Sequence, residues 1–126
     1  MRRRNTILAG LEAFRRRTPD LWINNVLTFL YVCENEGINI KELAQVSRLS
    51  EATASRSIRS FASPKSPGAL KPALGLIELV ENPDDGRGRL IYLTEEGRRL
   101  AAELDGLIRE VRTIDLRPDD GANRAA

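Results

Sequence analysis

The sequence predicts a mainly α (α+β) fold, and three observations predict it. Apolar residues recur at helical spacing through most of the chain. A single stretch, residues 74–94, reads as two strands around a turn-rich centre, "NPDDGRG". The length of 126 residues, with 30% charged and 41% hydrophobic side chains, fits one globular domain with a modest core rather than a disordered chain.

Each element follows from local chemistry. Ile7, Leu8, Leu11 and Phe14 form a helical stripe over residues 6–17. Thr18-Pro19 ends it, because proline pushes the preceding residue out of the helical region. Asp20 is placed to cap a second helix, "LWINNVLTFLYVCENE". Ile23, Val26, Leu27, Leu30 and Cys33 share one face of it. Trp22, Phe29 and Tyr31 make much of the remainder apolar, which predicts a central, buried helix. Gly37 suits its C-terminal end. Asn39 with Glu42 three residues on resembles a capping box for a short helix whose inner face is Ile40, Leu43 and Ala44. A turn at Ser47-Arg48-Leu49 follows. Ser50 caps the next helix, with Ala54, Ile58 and Phe61 inward and Glu51, Thr53, Ser55, Arg56, Arg59 and Ser60 outward.

"SPKSPGALKP" is rich in proline and glycine and predicts a loop. "LGLIELVE" and "RLIYLT" predict a hairpin around "NPDDGRG", with Asp84 and Asp85 shaping the turn through hydrogen bonds to backbone. Thr94 caps a last helix that opens on Glu95 and Glu96 and repeats Leu100, Ala101, Leu104, Ile108 and Val111. Beyond Thr113 the composition turns to Asp, Gly, Pro and Ala, and residues 114–126 are expected to form a flexible tail.

Composition excludes several function classes. The one cysteine, Cys33, cannot form an intrachain disulfide, and the absence of histidine argues against a zinc site or a serine–histidine triad. No nucleophile–base pair, phosphate loop or metal-ligand cluster is visible, so neither an enzyme nor a cofactor is expected. No run of eighteen apolar residues spans a membrane, and the basic start lacks the apolar stretch of a signal peptide, so a cytoplasmic protein is expected. The net charge is only +2, with a pI near 9.0. That sum conceals clusters at Arg2–Arg4 and Arg15–Arg17, set against Asp115, Asp119 and Asp120 near the end. Arg2–Arg4 reads either as a DNA-contacting arm or as a solvated tail.

A short helix pair with an arginine-bearing second member fits the DNA major groove, whose width admits one helix. A hairpin beside it can reach the adjacent backbone or a minor groove. Arg87 and Arg89 at its tip then meet phosphates or a narrow minor groove. The candidate DNA-binding set is Arg48, Ser50, Glu51, Thr53, Ser55, Arg56, Arg59, Arg87 and Arg89. Each has a plainer reading as a solvated or acid-paired surface residue. Cys33, on an apolar helical face, reads as a buried structural thiol rather than a redox sensor.

"IKELAQVSRLSEATASRSIRSF" and "GLIELVENPDDGRGRLIYLTEEGRRL", with helices at both ends, resemble the multiple antibiotic resistance regulator (MarR) family of winged helix-turn-helix transcriptional regulators. The second stretch, a wing running into a Leu-Thr-x-x-Gly helix start, is the more specific. The resemblance implies a winged helix-turn-helix domain over residues 1–113. Its helix–turn–helix lies at about 39–62, its recognition helix at about 50–62 and its wing at about 75–94, with the tip near 82–89. It implies dimerisation helices at about 6–17 and 95–112 and a homodimer on a near-palindromic double-stranded DNA site. It also implies repression, often relieved by a small-molecule effector of unknown identity or by oxidation. This sequence departs from the family pattern in the longer link "SPKSPGALKPAL", in Ser47 where glycine is common, and in its reduced C-terminal helices. An alternative reading is a winged-helix module that binds protein or organises DNA without ligand control.

Overall fold

A computed structural model describes residues 2–3, 6–84, 88–109 and 113–114, the first and last pairs as strand backbone alone. In chain order it contains β1 (Arg2–Arg3), α1 (Thr6–Arg15), α2 (Ile23–Glu34), α3 (Ile40–Ser47) and α4 (Glu51–Phe61). Then come β2 (Ile77–Glu81), β3 (Arg89–Leu93), α5 (Glu95–Arg109) and β4 (Thr113–Ile114). This is a mainly α winged helix: α2, α3 and α4 pack together, β2 and β3 form an antiparallel hairpin, and α1 packs on α5. β1 pairs with β4, a link that no sequence signal announced.

The core centres on Phe29 of α2. Phe14 from α1 meets it edge-on, with centroids 5.7 Å apart and planes at 84°, and Phe61 from α4 lies 5.6 Å away. Phe29, Phe61, Leu43, Ile58, Ile77, Ile91 and Leu100 are all fully buried, so α2 to α5 and both strands share one core. Each such side chain contributes about 1.5–3 kcal/mol through removal from water.

Capping follows local chemistry at three of the four helix starts for which the sequence predicts a cap. Asn39 Oδ1 accepts from Glu42 N (2.8 Å) and Glu42 Oε1 accepts from Asn39 N (3.0 Å), a complete capping box. Ser50 Oγ accepts from Thr53 N at 3.1 Å. Thr94 Oγ1 accepts from Gly97 N at 3.1 Å and donates to Gly75 O at 2.6 Å. The fourth expectation needs correction. Asp20 does not cap α2: Trp22 occupies that position and offers no side-chain hydrogen bond, because the helix starts two residues later than a cap at Asp20 requires.

The buried character expected for α2 also needs correction. Val26, Thr28, Phe29 and Val32 face the core, while Ile23, Leu27 and Leu30 are exposed, since α3 and α4 pack against one side only. The left-handed turn residue is Arg48 (φ 60°), not Ser47, which ends α3 with its hydroxyl donating to Leu43 O at 2.7 Å.

The hairpin is anchored at its base. Gly37 N donates to Ile91 O (2.7 Å) and Ile91 N to Ile38 O (2.8 Å), so residues 37–39 add backbone pairing beside β3. Glu36 Oε2 accepts from Leu93 N (2.8 Å) and from Arg98 Nη2 (3.0 Å), which joins the end of α2, β3 and α5. At the tip, Asn82 Oδ1 accepts from Asp84 N at 2.9 Å. Asn82 thus makes the turn expected of Asp84, while Asp85 and Arg87 lie outside the described residues. So do Arg4, Val111 and residues 115–126. Among the described residues no helix is long and apolar enough to cross a membrane.

Candidate nucleic-acid interface

α4 is built to show one face. Ala54, Ile58 and Phe61 hold it to the core, so Glu51 and Arg56 project to solvent and Thr53, Ser55 and Arg59 lie half-buried on its flanks. Ser60, expected outside, is buried at 6%. Its hydroxyl donates to Ser57 O (2.6 Å), and Asn25 Nδ2 of α2 donates to Ser57 Oγ (3.0 Å) and Ser60 Oγ (3.2 Å). This polar clasp fixes α4 on α2. Sequence reasoning missed it, because Asn25 lies more than thirty positions before Ser57 and Ser60 and shows no local pattern.

A groove flanks α4 on each side. The wing-side groove, about 500 Å³, brings Glu51, Ser55 and Arg59 together with Arg89 of β3 and with Lys41 of α3. The wing and the outward face of α4 therefore converge. Lys41 was absent from the sequence-based set; its place in the first turn of α3 carries no signal until the fold brings it to the wing. The opposite groove, about 630 Å³, holds Thr53 and Arg56 beside the start of α2 and the 70–72 segment. Arg48 stands exposed on the turn between α3 and α4. The Ser50 hydroxyl is committed to its cap, since it also donates to Thr53 Oγ1 at 2.9 Å.

Apart from Arg109, which ends α5 without an ion pair among the described residues, the described arginines of the helices, turns and hairpin divide into two populations. Arg15 pairs with Glu12, Arg16 and Arg17 with Glu103, Arg98 with Glu36, and Arg99 with Glu95 and Glu96. Arg48, Arg56, Arg59 and Arg89 have no ion pair with any described carboxylate. The acid-paired reading of Arg56 and Arg59 therefore fails among the described residues. Arg59 Nε is shut from solvent with no hydrogen-bond partner, an unmet donor that a native fold seldom leaves without cause. Arginines that spend no charge on a described carboxylate are suited to an external anion, although Glu51 shares their face.

Cys33 lies half-buried on α2. Burial, reinforced by the carboxylates of Asp105, Glu36 and Glu34, pushes its thiol up to about 12. The thiolate that oxidation requires is therefore suppressed near neutral pH, in line with a structural thiol. Among the described residues no group of histidine, cysteine or carboxylate side chains could hold a metal ion.

The sequence matches no family model and no curated protein. The fold does have solved counterparts. The PcaV transcriptional regulator of Streptomyces coelicolor, solved with its natural ligand, is 20% identical over 71% of this chain and 56% of its own length, with a TM-score of 0.55. A MarR transcriptional regulator of Methanosarcina mazei Go1 is 15% identical over 82% of this chain and 68% of its own, with a TM-score of 0.58. Bordetella bronchiseptica BpsR, whose DNA binding is regulated by 6-hydroxynicotinic acid, is 18% identical over 82% and 72%, with a TM-score of 0.55. This chain thus spans little more than half the length of PcaV and about seven-tenths of the other two. At these identities the likeness establishes the fold: a winged helix of the kind found in MarR transcriptional regulators.

Proposed function

We propose, from that fold and from the cations around α4, that the protein is a sequence-specific, double-stranded DNA-binding transcriptional regulator acting as a homodimeric repressor. The observation that carries the reading is the split among the arginines. Arg15, Arg16, Arg17, Arg98 and Arg99, on and beside α1 and α5, are neutralised by glutamates, whereas Arg48, Arg56, Arg59 and Arg89, around one helix and one hairpin, have no ion pair among the described residues; Arg109, at the far end of α5, is unpaired as well. In this reading α4 enters the major groove, where Arg56 can give two hydrogen bonds to guanine and Thr53 can set its methyl against thymine. Arg89, with Arg87 beyond the described residues, meets the backbone or minor groove.

A second copy of the chain accounts for the exposed apolar surface on α1, α2 and α5. Ile7 is 74% and Ile108 68% exposed, and with Leu11 and Leu30 they line an apolar groove of about 260 Å³. Such a surface on a small domain marks an interface. Two copies related by a two-fold axis read a near-palindromic site. The reading is tested by selecting bound fragments from random DNA. A recurrent near-palindromic sequence supports it; retention of fragments with no common sequence refutes it and favours a DNA-organising module.

A further inference from the structure

The groove on the α2 side of α4 is the larger of the two, and it holds more than α4 itself supplies. Its outer wall is the loop over residues 63–74. That loop does not hang free. Leu70 N donates to Arg59 O at 3.0 Å, Leu74 N to Ser60 O at 3.2 Å and Gly75 N to Ala62 O at 3.1 Å, so its second half is bonded to the C-terminal end of α4. Lys71, next to the first of these anchors, is exposed and lines the groove together with Arg56. The inner wall is the start of α2, held to α4 by the Asn25 clasp on Ser57 and Ser60. Both walls are therefore fixed relative to α4.

The chemistry of the walls selects the occupant. Lys71 and Arg56 have no ion pair with any described carboxylate, and the Asn24 side-chain amide, which also lines the groove, has no hydrogen-bond partner among the described residues. Three donors thus converge with their hydrogens unspent. One acid shares the groove: Asp20, which neither caps α2 nor pairs with a described cation. Its single charge leaves the lining net positive.

We propose that this groove is a second phosphate-binding site, in which Lys71 and Asn24 hold the DNA backbone on the flank of α4 opposite the wing. The inference rests on the reading that α4 enters the major groove. A helix lying there has a phosphate strand on each side. The wing then meets one strand and the loop the other, so α4 is held between two backbone contacts that set its depth and register. The extra length of the 63–74 segment has a use in this arrangement, since it carries Lys71 around the end of α4 to the far flank. Asp20 acts against the contact and limits its strength.

The test uses the full chain, with the variants Lys71→Gln and Asp20→Asn, each titrated on the selected operator and on a scrambled duplex over a series of KCl concentrations. Both residues are exposed and make no described hydrogen bond, so neither change disturbs the fold. Lys71→Gln should lower the slope of log K against log salt by about 0.9 on both duplexes, the signature of one lost phosphate contact. Asp20→Asn should tighten binding to both. An unchanged slope for Lys71→Gln, a loss confined to the operator, or unchanged or weaker binding for Asp20→Asn overturns the proposal. Arg56→Ala and Arg89→Ala, run alongside, separate two failures. If they weaken binding and Lys71→Gln does not, only the loop site is wrong. If none of the variants changes binding, the DNA reading itself is wrong.

Discussion

At Arg48 one residue carries two demands. Its backbone sits in the left-handed region (φ 60°, ψ 31°), which costs an ordinary residue about 1–2 kcal/mol, while its guanidinium stands on the turn before α4. Glycine would remove the strain but add up to about 1 kcal/mol of unfolded-state entropy. Arg48→Gly should therefore leave stability unchanged or raise it by up to about 1 kcal/mol, while flattening the salt dependence of DNA binding by about 0.9. Chemical denaturation and a salt titration check the two halves. A less stable variant would show that the arginine stem packs in a way the turn geometry does not explain.

Cys33 gives a second residue-scale prediction. Its thiol is raised to about 12 in the folded chain, above the ordinary value of about 8.5. Below the ordinary value both folded and unfolded chains keep the proton, so its contribution to stability is complete there. That contribution is lost as pH rises toward 12, because the unfolded chain ionises first. Near neutral pH the native thiol should react with iodoacetamide far more slowly than the thiol of the denatured chain. Equal rates would contradict the suppressed thiolate. The sequence shows why such residues are only half legible. Asn39, Ser50 and Thr94 were readable because a cap is settled within three residues. Asp20 misled because a cap also depends on where the helix begins, and Ser60 misled because only its bond with distant Asn25 explains its burial.

Among the elements, the junction of the hairpin and α5 is the tightest. A Cβ built on Gly97 would lie 2.0 Å from Leu76 O, and Thr94 N donates to that same carbonyl at 3.0 Å. Two backbone segments meet there with no room for a side chain, a physical reason for glycine in the Leu-Thr-x-x-Gly sequence. Gly97→Ala should destabilise the protein by about 3 kcal/mol, the upper part of the range for overpacking, measured by urea unfolding. A loss under about 1 kcal/mol would mean that the junction can shift. Helix and strand identities were legible here because periodicity is local. The tether between the 63–74 loop and α4, the pairing of β1 with β4 and the arrival of Lys41 beside the wing were not, since each is made by chain segments that only the tertiary fold brings together.

At the scale of the whole molecule, the proposed function requires two copies and one DNA-facing surface. Sedimentation at micromolar concentration should report twice the 14.1 kDa chain mass. Leu11→Glu with Ile108→Glu, which places carboxylates in the exposed apolar groove, should give a monomer that remains folded. A wild-type monomer would remove the two-half-site arrangement. Specificity is the most direct test of all. Arg56→Ala is titrated against the selected operator and a scrambled duplex at one fixed salt concentration. Arg56→Ala should lose about 1–3 kcal/mol on the operator and less on the scrambled duplex. Equal losses on both would place Arg56 on phosphate and contradict the claim that this residue of α4 reads the base sequence.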